Sequence, residues 1–327
     1  MAINKLGGFY MSTYYPEGWI IDTPSNKYYL KNLQTLYDAF QTKKTLEARA
    51  IVCDSTHNLI VDLGCIKGII PREEVAIGIL EGTTKDIAII SKVNKPVLFK
   101  ITNIVSPVNE EPYAILSRKI LQEECISNYI SGLKPGDIID AKITHIEAFG
   151  CFVDIGCGVA SLLPIDAISV SRISHPTDRF RVGDNIKAVV KSIDNLGRVC
   201  LSHKELLGTW EENANLFEVG ETVAGVIRSI ENYGIFVELT PNLAGLAEPK
   251  DNVFPGQQAS VFIKNLIPDK MKVKLIIVDS FDEIYKNSPP EYFVRDKHID
   301  YWCYSPFNSE KLIETDFSNQ NINLSFV

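Results

Sequence analysis

Two phenylalanines spaced three residues apart, Phe149 and Phe152, give the first indication of chemistry in this sequence. Alternation along the strand-like run CFVDI puts Phe152 and Asp154 on one face and turns Cys151 inward on the other. An outward aromatic ring offers a flat surface on which an unpaired base can stack, a contact worth about 1–3 kcal/mol per base. The pair therefore predicts a surface for single-stranded nucleic acid.

Charged side chains that could meet the backbone of such a strand follow along the chain. Lys191 and Arg198 are expected on adjoining strands, where they would contact phosphates. Asp194 would orient Arg198 or accept a hydrogen bond from a base edge. The long loop 170–184 would add a mobile cationic rim of three arginines: Arg172, Arg179 and Arg181. From this copy alone a second interpretation stays equally open, in which the phenylalanines cap a barrel end or contact a neighbouring unit.

An internal repeat favours the first interpretation. Residues 136–155, GDIIDAKITHIEAFGCFVDI, align with residues 220–239, GETVAGVIRSIENYGIFVEL, at a constant offset of 84. The aromatic pair recurs as Tyr233 and Phe236, and recurrence at one place in two copies points to a function rather than to incidental packing. A third, weaker copy begins upstream at HNLIVDLGCIKGIIP (57–71).

Each copy has the pattern of short alternating strands separated by turns. A small sheet of about 70 residues buries its core best by closing on itself. We therefore predict a mainly β protein with three tandem OB-fold barrels, each of five antiparallel strands, joined by α-helices. The expected segments are an N-terminal helical extension (1–44), a degenerate first barrel (45–119), a helical linker (120–135), a middle barrel (136–204), a second helical linker (205–219), a third barrel (220–279) and an aromatic C-terminal extension (280–327).

Two helices are predicted from their start signals and apolar stripes. One begins with Pro24 at its first position and carries Leu30, Leu33, Leu36, Tyr37 and Phe40 on one side. The other begins at the capping-box spacing of Ser202 and Glu205 and continues through Trp210. The aromatic residues Tyr301, Trp302 and Tyr304 of the extension are expected to pack back on the third barrel.

Composition and charge narrow the function class. The formal net charge is −8 over 327 residues, but most of it lies in the connector and the tail, so the near-neutral repeats can carry local basic faces. No apolar run approaches the roughly 18 residues of a membrane span, and no membrane partner is expected. Seven cysteines, never spaced as CxxC, are typical of reduced thiols in a cytoplasm. No metal is expected, because the histidines lack ligand spacing. No cofactor is expected either, because GCGVAS (156–161) has Ser161 in place of the third glycine of a dinucleotide fingerprint.

The run GDIIDAKITHIEAFGCFVDIG, together with the later KSIDNLGRVCLSHKE, resembles the S1 family of OB-fold RNA-binding domains. The resemblance covers 136–204, most of 220–279 and, loosely, 45–119. Three tandem units joined by helices resemble a short bacterial ribosomal protein of that family. The resemblance implies an RNA face built from two aromatics, a histidine, an aspartate and an arginine.

The middle copy supplies Phe149, Phe152, Asp194 and Arg198 to that face, but Pro164 stands where the family has its histidine. The rest of the pattern is present in this copy. The family face in 136–204 is therefore expected to lack one hydrogen-bonding group.

The flanking copies depart further from the family pattern. In the third copy, Glu248 replaces the histidine, Lys272 replaces the arginine, and the inserted stretch 267–270 removes the aspartate match. Because a carboxylate repels phosphates, weaker binding is expected there. In the first copy His57 and Ile60 hold the aromatic positions, and the resemblance implies that such a unit docks on protein, for example the small ribosomal subunit.

The sequence thus predicts a non-catalytic, cytoplasmic protein that binds single-stranded RNA, including mRNA, in bacterial translation. A protein-interaction scaffold with weak RNA affinity is the alternative, motivated by the missing histidine and the acidic tail. A ribonuclease is a weaker third possibility, because no GxSxG, Walker loop, HExxH or carboxylate pair is evident.

Overall fold

A computed structural model describes residues 14–282 and 289–318. Parts of the predicted terminal extensions, 1–13, 283–288 and 319–327, therefore lie outside the described residues. The chain divides into two compact units, one holding the residues through Leu133 with Asp154–Ala160, the other holding Lys134–Val153 and the residues from Ser161 onward. No helix within the described ranges is long and apolar enough to cross a membrane.

Between residue 14 and the first barrel, the structure shows two short helices where one was predicted. Helix α1 spans Pro24–Tyr29 and helix α2 spans Leu33–Gln41. The predicted continuous helix is wrong because Asn32 forms a capping box with Thr35, which starts a new helix at Leu33. Leu36 is nevertheless fully buried against the first barrel, as its place in the apolar stripe requires.

The first barrel closes in the strand order β1-β2-β3-β5-β4. Alternating apolar residues fill its core, which includes the fully buried Leu59 and Val61. Its elements are β1 (Leu46–Cys53), β2 (Leu59–Asp62), β3 (Lys67–Ile70), α3 (Ile87–Ile90), β4 (Pro96–Val105) and β5 (Tyr113–Ser117).

The middle barrel follows helix α4 (Lys119–Asn128) and closes in the order β10-β8-β7-β6-β9. Cys151 and Val153 point into its interior and are fully buried, as strand alternation predicts. Its strands are β6 (Ile138–Glu147), β7 (Gly150–Asp154), β8 (Ala160–Pro164), β9 (Asn185–Ile193) and β10 (Val199–Ser202).

The connector to the third barrel is shorter and more broken than the predicted helix. A 3₁₀ turn, Lys204–Leu207, ends at Gly208, whose φ of +83° suits glycine, and helix α5 (Trp210–Ala214) then begins at a Thr209 cap. The third barrel closes in the order β11-β12-β13-β15-β14. Its strands are β11 (Thr222–Glu231), β12 (Gly234–Thr240), β13 (Leu243–Ala247), β14 (Gln258–Ile267) and β15 (Lys272–Phe281).

All three barrels share one topology, five strands closed into a cylinder, so the predicted mainly β fold with three OB-type barrels is confirmed. Neighbouring strands such as β1 and β2 run antiparallel, but the pair that closes each barrel is parallel: β3 with β5, β8 with β10, and β13 with β15. Closure leaves no exposed sheet edge through which these short strands could pair with another chain.

The C-terminal extension packs on both barrels of the second unit. Trp302 and Tyr304 are buried in the core cluster of the third barrel, whereas Tyr301, expected there too, is exposed. On the middle barrel, the amide of Ile138 donates to the Lys297 carbonyl at 2.8 Å. Two short strands, β16 (Tyr301–Cys303) and β17 (Glu314–Asp316), pair within the extension.

A buried polar cluster in the first unit explains why Asp154 does not share the open face of Phe152. Asp154 accepts hydrogen bonds from the backbone amides of Glu17, at 2.7 Å, and of Gly156, at 2.8 Å. Glu17 also forms an ion pair with Arg118 at 2.6 Å. Burial raises the pKa of Asp154 to about 6. Burial also acts to raise the pKa of Glu17, but the charges and hydrogen bonds of Arg118 and Lys92 together hold it at about 2.

A second buried cluster, within the second unit, joins the loop of the middle barrel to the third barrel. Arg179 donates to Glu238 at 2.5 Å, and Arg228 donates to both oxygens of the same carboxylate at 3.0 Å. The side chains of Arg179 and Glu238 are only 8% and 7% exposed. Glu238 is the repeat equivalent of Asp154, so both downstream barrels use this outer carboxylate for buried polar contacts.

Replacing Glu238 should strongly destabilise the second unit. Glu238→Ala leaves Arg179 buried without its ion-pair partner and leaves Arg228 only the longer contact with Asp178, at 3.7 Å. Breaking a buried ion pair in this way costs about 3–5 kcal/mol. Urea unfolding followed by the fluorescence of the buried Trp210 and Trp302 measures the change. The exposed Arg172→Ala should alter the free energy of unfolding by no more than about 0.5 kcal/mol; equal losses in the two variants would contradict the assigned role of the cluster.

Candidate nucleic-acid interface

The aromatic pair of the middle barrel lies at the surface, at the turn between β6 and β7. Phe149 is 55% exposed and Phe152 is half-buried. Their ring centroids are 6.0 Å apart and the rings are perpendicular. Inward-facing Cys151 holds the strand so that the ring of Phe152 must face outward. The two rings together form an apolar corner at the surface, in which the ring of Phe149 is the more exposed.

A glycine between the two rings is required by a close backbone approach. A Cβ atom on Gly150 would lie 2.4 Å from the carbonyl oxygen of Leu163, and one on Gly234 would lie 2.6 Å from that of Ala247. Such distances are far below van der Waals contact, so any other residue would push the neighbouring strand away. The glycine therefore fixes the turn that carries the first ring of each pair.

His145 lies beside this corner, although the sequence analysis gave it no role. Its ring centroid is 6.2 Å from that of Phe152 at an interplanar angle of 30°, and it contacts Glu147 at 2.7 Å. The hairpin register would have predicted that His145 lies opposite Phe152. The equivalent residues of the third barrel, Ser229 and Phe236, are direct cross-strand partners. The imidazole extends the stacking surface on the side opposite the Pro164 substitution.

Asp194 and Arg198 meet in one turn, as expected for residues that would act together. Arg198 Nε donates to Asp194 Oδ2 at 2.6 Å, and the Arg198 amide donates to Oδ1 at 2.8 Å. These hydrogen bonds hold the pKa of Asp194 below its usual value. The Arg198 side chain is 77% exposed, so the aspartate orients a guanidinium that remains open to solvent. Lys191 is exposed on β9.

The loop after β8 supplies two of the three predicted rim cations. Arg172 and Arg181 are exposed. The prediction that Arg179 belongs to a mobile rim is wrong, because its guanidinium is buried in the ion pair with Glu238. Sequence spacing could not distinguish the three arginines, since the buried acceptor lies on another barrel.

The third barrel repeats the aromatic corner and adds a groove. Tyr233 is 67% exposed, and its ring is perpendicular to that of Phe236 at a centroid distance of 6.2 Å. Both rings line a groove of about 600 Å³. The polar side chains along this groove are Glu248, Lys264, Lys272 and Lys274. The predicted contact residue Lys272 thus lies on the same surface as the ring pair.

The first barrel offers no comparable corner. His57 and Ile60 occupy the two positions and are both half-buried. His57 has a φ of +64°, stabilised by a turn in which Asp54 accepts hydrogen bonds from Thr56 and Asn58. The positions that hold two phenyl or phenol rings in the other barrels therefore hold one imidazole and one aliphatic side chain here.

Buried histidine and cysteine side chains lie apart from these faces. Burial lowers the pKa of His203 to about 4, so this ring is neutral near pH 7. The seven cysteines form no disulfide, and no group of three or more His, Cys, Asp or Glu side chains among the described residues could hold a metal ion.

The structure thus defines a protein of tandem OB-type barrels, two of which carry an aromatic corner at the surface, and in the third barrel lysines line the same groove as the rings. Residues 133–204 match the family described as the S1 RNA binding domain. The segment that matches this family contains the whole middle barrel.

Comparisons with whole proteins extend the similarity along the chain. A small ribosomal subunit protein bS1 homolog of Bacillus cereus is 28% identical over 242 residues, covering 69% of this chain and 60% of that protein. This chain therefore matches about three fifths of the length of that relative. A protein named 4-hydroxy-3-methylbut-2-enyl diphosphate reductase, from Fusobacterium nucleatum, is 28% identical over 77% of this chain but only 30% of its own length.

Among solved structures, a multidomain protein with nucleic acid binding domains from Streptococcus pneumoniae aligns with 75% of this chain and 76% of its own. The identity is 13% and the TM-score is 0.25.

Proposed function

We propose that this protein is a non-catalytic binder of single-stranded RNA, including mRNA, that acts in translation in the bacterial cytoplasm. The observation that carries the proposal is the recurrence of a perpendicular, solvent-facing ring pair, at 6.0 Å in the middle barrel and 6.2 Å in the third. The S1 family match and the similarity to a bS1 homolog support the same assignment.

In the proposed complex, bases stack on the ring pairs while cations follow the phosphates. Phe149 and Phe152 receive bases at the middle barrel, with His145 beside them. Arg198, oriented by Asp194, and the exposed Lys191 contact the backbone. Because every base has a π-face, this middle surface distinguishes little between sequences.

Two sites of low affinity on one chain are sufficient for a high overall affinity. Once RNA is held at one barrel, contact with the other becomes intramolecular and is governed by an effective concentration rather than by bulk RNA. The proposed RNA-binding segments are the middle segment 136–204 and the third segment 220–279. Within the second unit, the Arg179–Glu238 ion pair joins the loop of the middle barrel to the third barrel.

The proposal assigns no chemical step to this chain. Every side chain placed at the two faces can stack on a base, form a hydrogen bond or ion pair, or carry charge. These are the properties of a binding surface. The match to the reductase covers less than a third of that protein, so its name transfers no activity to this chain.

A second role is favoured for the first barrel, namely docking on protein such as the small ribosomal subunit. The ring positions of this barrel hold His57 and Ile60, and its helix α3 presents Ile87 and Ile90, which are 66% and 46% exposed. Exposed aliphatic side chains suit a protein surface better than a polyanion.

Removing the two rings of the middle barrel should weaken RNA binding. Phe149→Ala/Phe152→Ala is expected to lower the affinity for a single-stranded 12-mer by about tenfold or more, because each stacked base is worth about 1–3 kcal/mol. Fluorescence anisotropy with labelled RNA measures the change. The control is Phe254→Ala, which removes a 62% exposed ring that does not line the groove of Tyr233 and Phe236 and should leave affinity unchanged. Unaltered affinity in the double variant would refute stacking at this barrel.

The salt dependence of binding should report the assigned cations. For single-stranded nucleic acid, log K falls with log salt by about 0.7 per neutralised phosphate. Lys191→Ala/Arg198→Ala is therefore expected to reduce the slope by about 1.4, whereas Lys31→Ala/Lys43→Ala, on the N-terminal segment, should not change it. A slope that is equal in both double variants would contradict the phosphate contacts.

Ribosome docking through the first barrel predicts a separation of the two activities. Ile87→Glu/Ile90→Glu should lose co-sedimentation with salt-washed small subunits free of mRNA, while retaining affinity for free RNA. Phe149→Ala/Phe152→Ala should behave in the opposite way. Leu312→Glu, which charges an exposed aliphatic residue of the extension, serves as the control. Co-sedimentation that depends on the rings and not on the isoleucines would overturn the docking role.

A further inference from the structure

The groove of the third barrel carries a charged pair, of which only the lysine has a counterpart in the middle barrel. Glu248 and Lys264 both line the groove beside Tyr233 and Phe236. At the position equivalent to Glu248 the middle barrel has Pro164, whose side chain has no hydrogen-bonding atom. Lys264 corresponds to Lys191 of the middle barrel, because the residues before them, Ile263 and Val190, accept the same backbone hydrogen bond from Gly220 and Gly136. A base stacked at the third barrel therefore meets a carboxylate that a base at the middle barrel does not meet.

The carboxylate of Glu248 is available to a ligand. Its contact with Lys264 Nζ is long, at 3.4 Å, and the two side chains are 75% and 54% exposed. Surface ion pairs of this kind contribute little and exchange readily with water. Each charged group can thus turn to a base without the loss of a strong interaction.

The two groups present a defined hydrogen-bonding pattern. A carboxylate only accepts hydrogen bonds, through two oxygens, whereas an ammonium only donates them. Guanine is the one common RNA base whose Watson–Crick edge has two adjacent donors, N1–H and the N2 amino group, next to an acceptor, O6. Uracil, cytosine and adenine each offer a single donor group on that edge, so they satisfy only one carboxylate oxygen.

We propose that Glu248 and Lys264 make the third barrel selective for guanine in single-stranded RNA. The base stacks on the corner formed by Tyr233 and Phe236, the carboxylate accepts from N1–H and N2–H, and the ammonium donates to O6. The carboxylate that repels phosphates thereby acts as a reader of the base edge. This inference rests on the proposed function, because it requires that RNA reaches the ring pair.

The test uses the full chain with Phe149→Ala/Phe152→Ala, so that the third barrel provides the remaining ring pair. The probes are labelled 12-mers of U, of alternating U and A, and of alternating U and G. The U–G strand is expected to bind about tenfold more tightly than the other two, the discrimination typical of a bidentate contact. Adding Glu248→Gln, which exchanges one acceptor for a donor, should abolish the difference.

The matched control adds Glu211→Gln instead. It makes the same charge change on the exposed side of α5, outside the groove, and should preserve the preference for the U–G strand.

The outcomes distinguish guanine selection by the third barrel from the proposed RNA binding on which it rests. Equal binding of all three strands by the parent variant would overturn guanine selection while leaving RNA binding intact. A preference that survives Glu248→Gln would also overturn it, because the selectivity would then reside elsewhere. Failure of all three strands to bind, in the parent variant and in the natural sequence alike, would refute the proposed function itself.

Discussion

A closed barrel of five short strands has one interior, and that interior holds only one of the two side-chain sets of each strand. Cys151 and Val153 take the interior positions of β7, so the ring of Phe152 between them has to lie outside. The same constraint turns Phe236 outward in the third barrel. The proposed RNA binding depends on that alternation, because it keeps the rings of Phe152 and Phe236 out of the barrel interior.

Only part of the outer face of β7 and β12 is exposed to solvent. Asp154 and Glu238 lie two residues beyond the outward rings and obey the same alternation, yet both are buried. Each carboxylate is enclosed by polar partners within its own compact unit, Asp154 by backbone amides and Glu238 by two arginines. The outer surface of β7 and of β12 is therefore divided, with a stacking surface at one end and a buried polar cluster at the other.

Local periodicity and the internal repeat were sufficient to predict the barrels, their number and the exposed ring pairs, because these follow from alternation within single strands. The features that the sequence did not predict depend on contacts between segments that are distant in the chain. Arg179 resembled its exposed neighbours Arg172 and Arg181 until its acceptor on another barrel was known. The helices were mispredicted because Asn32 and Gly208 end apolar stripes that otherwise continue in helical register. The extension was expected on the third barrel alone, and its contacts with the middle barrel carry no sequence pattern.

The central claim is that RNA lies across the outward rings of the middle and third barrels. Photocrosslinking of the full chain to single-stranded RNA, with the adducts located by mass spectrometry, tests it most directly. The account predicts adducts on the peptides that contain Phe149 and Phe152 and on those that contain Tyr233 and Phe236. Adducts confined to the first barrel or to the C-terminal extension would contradict it.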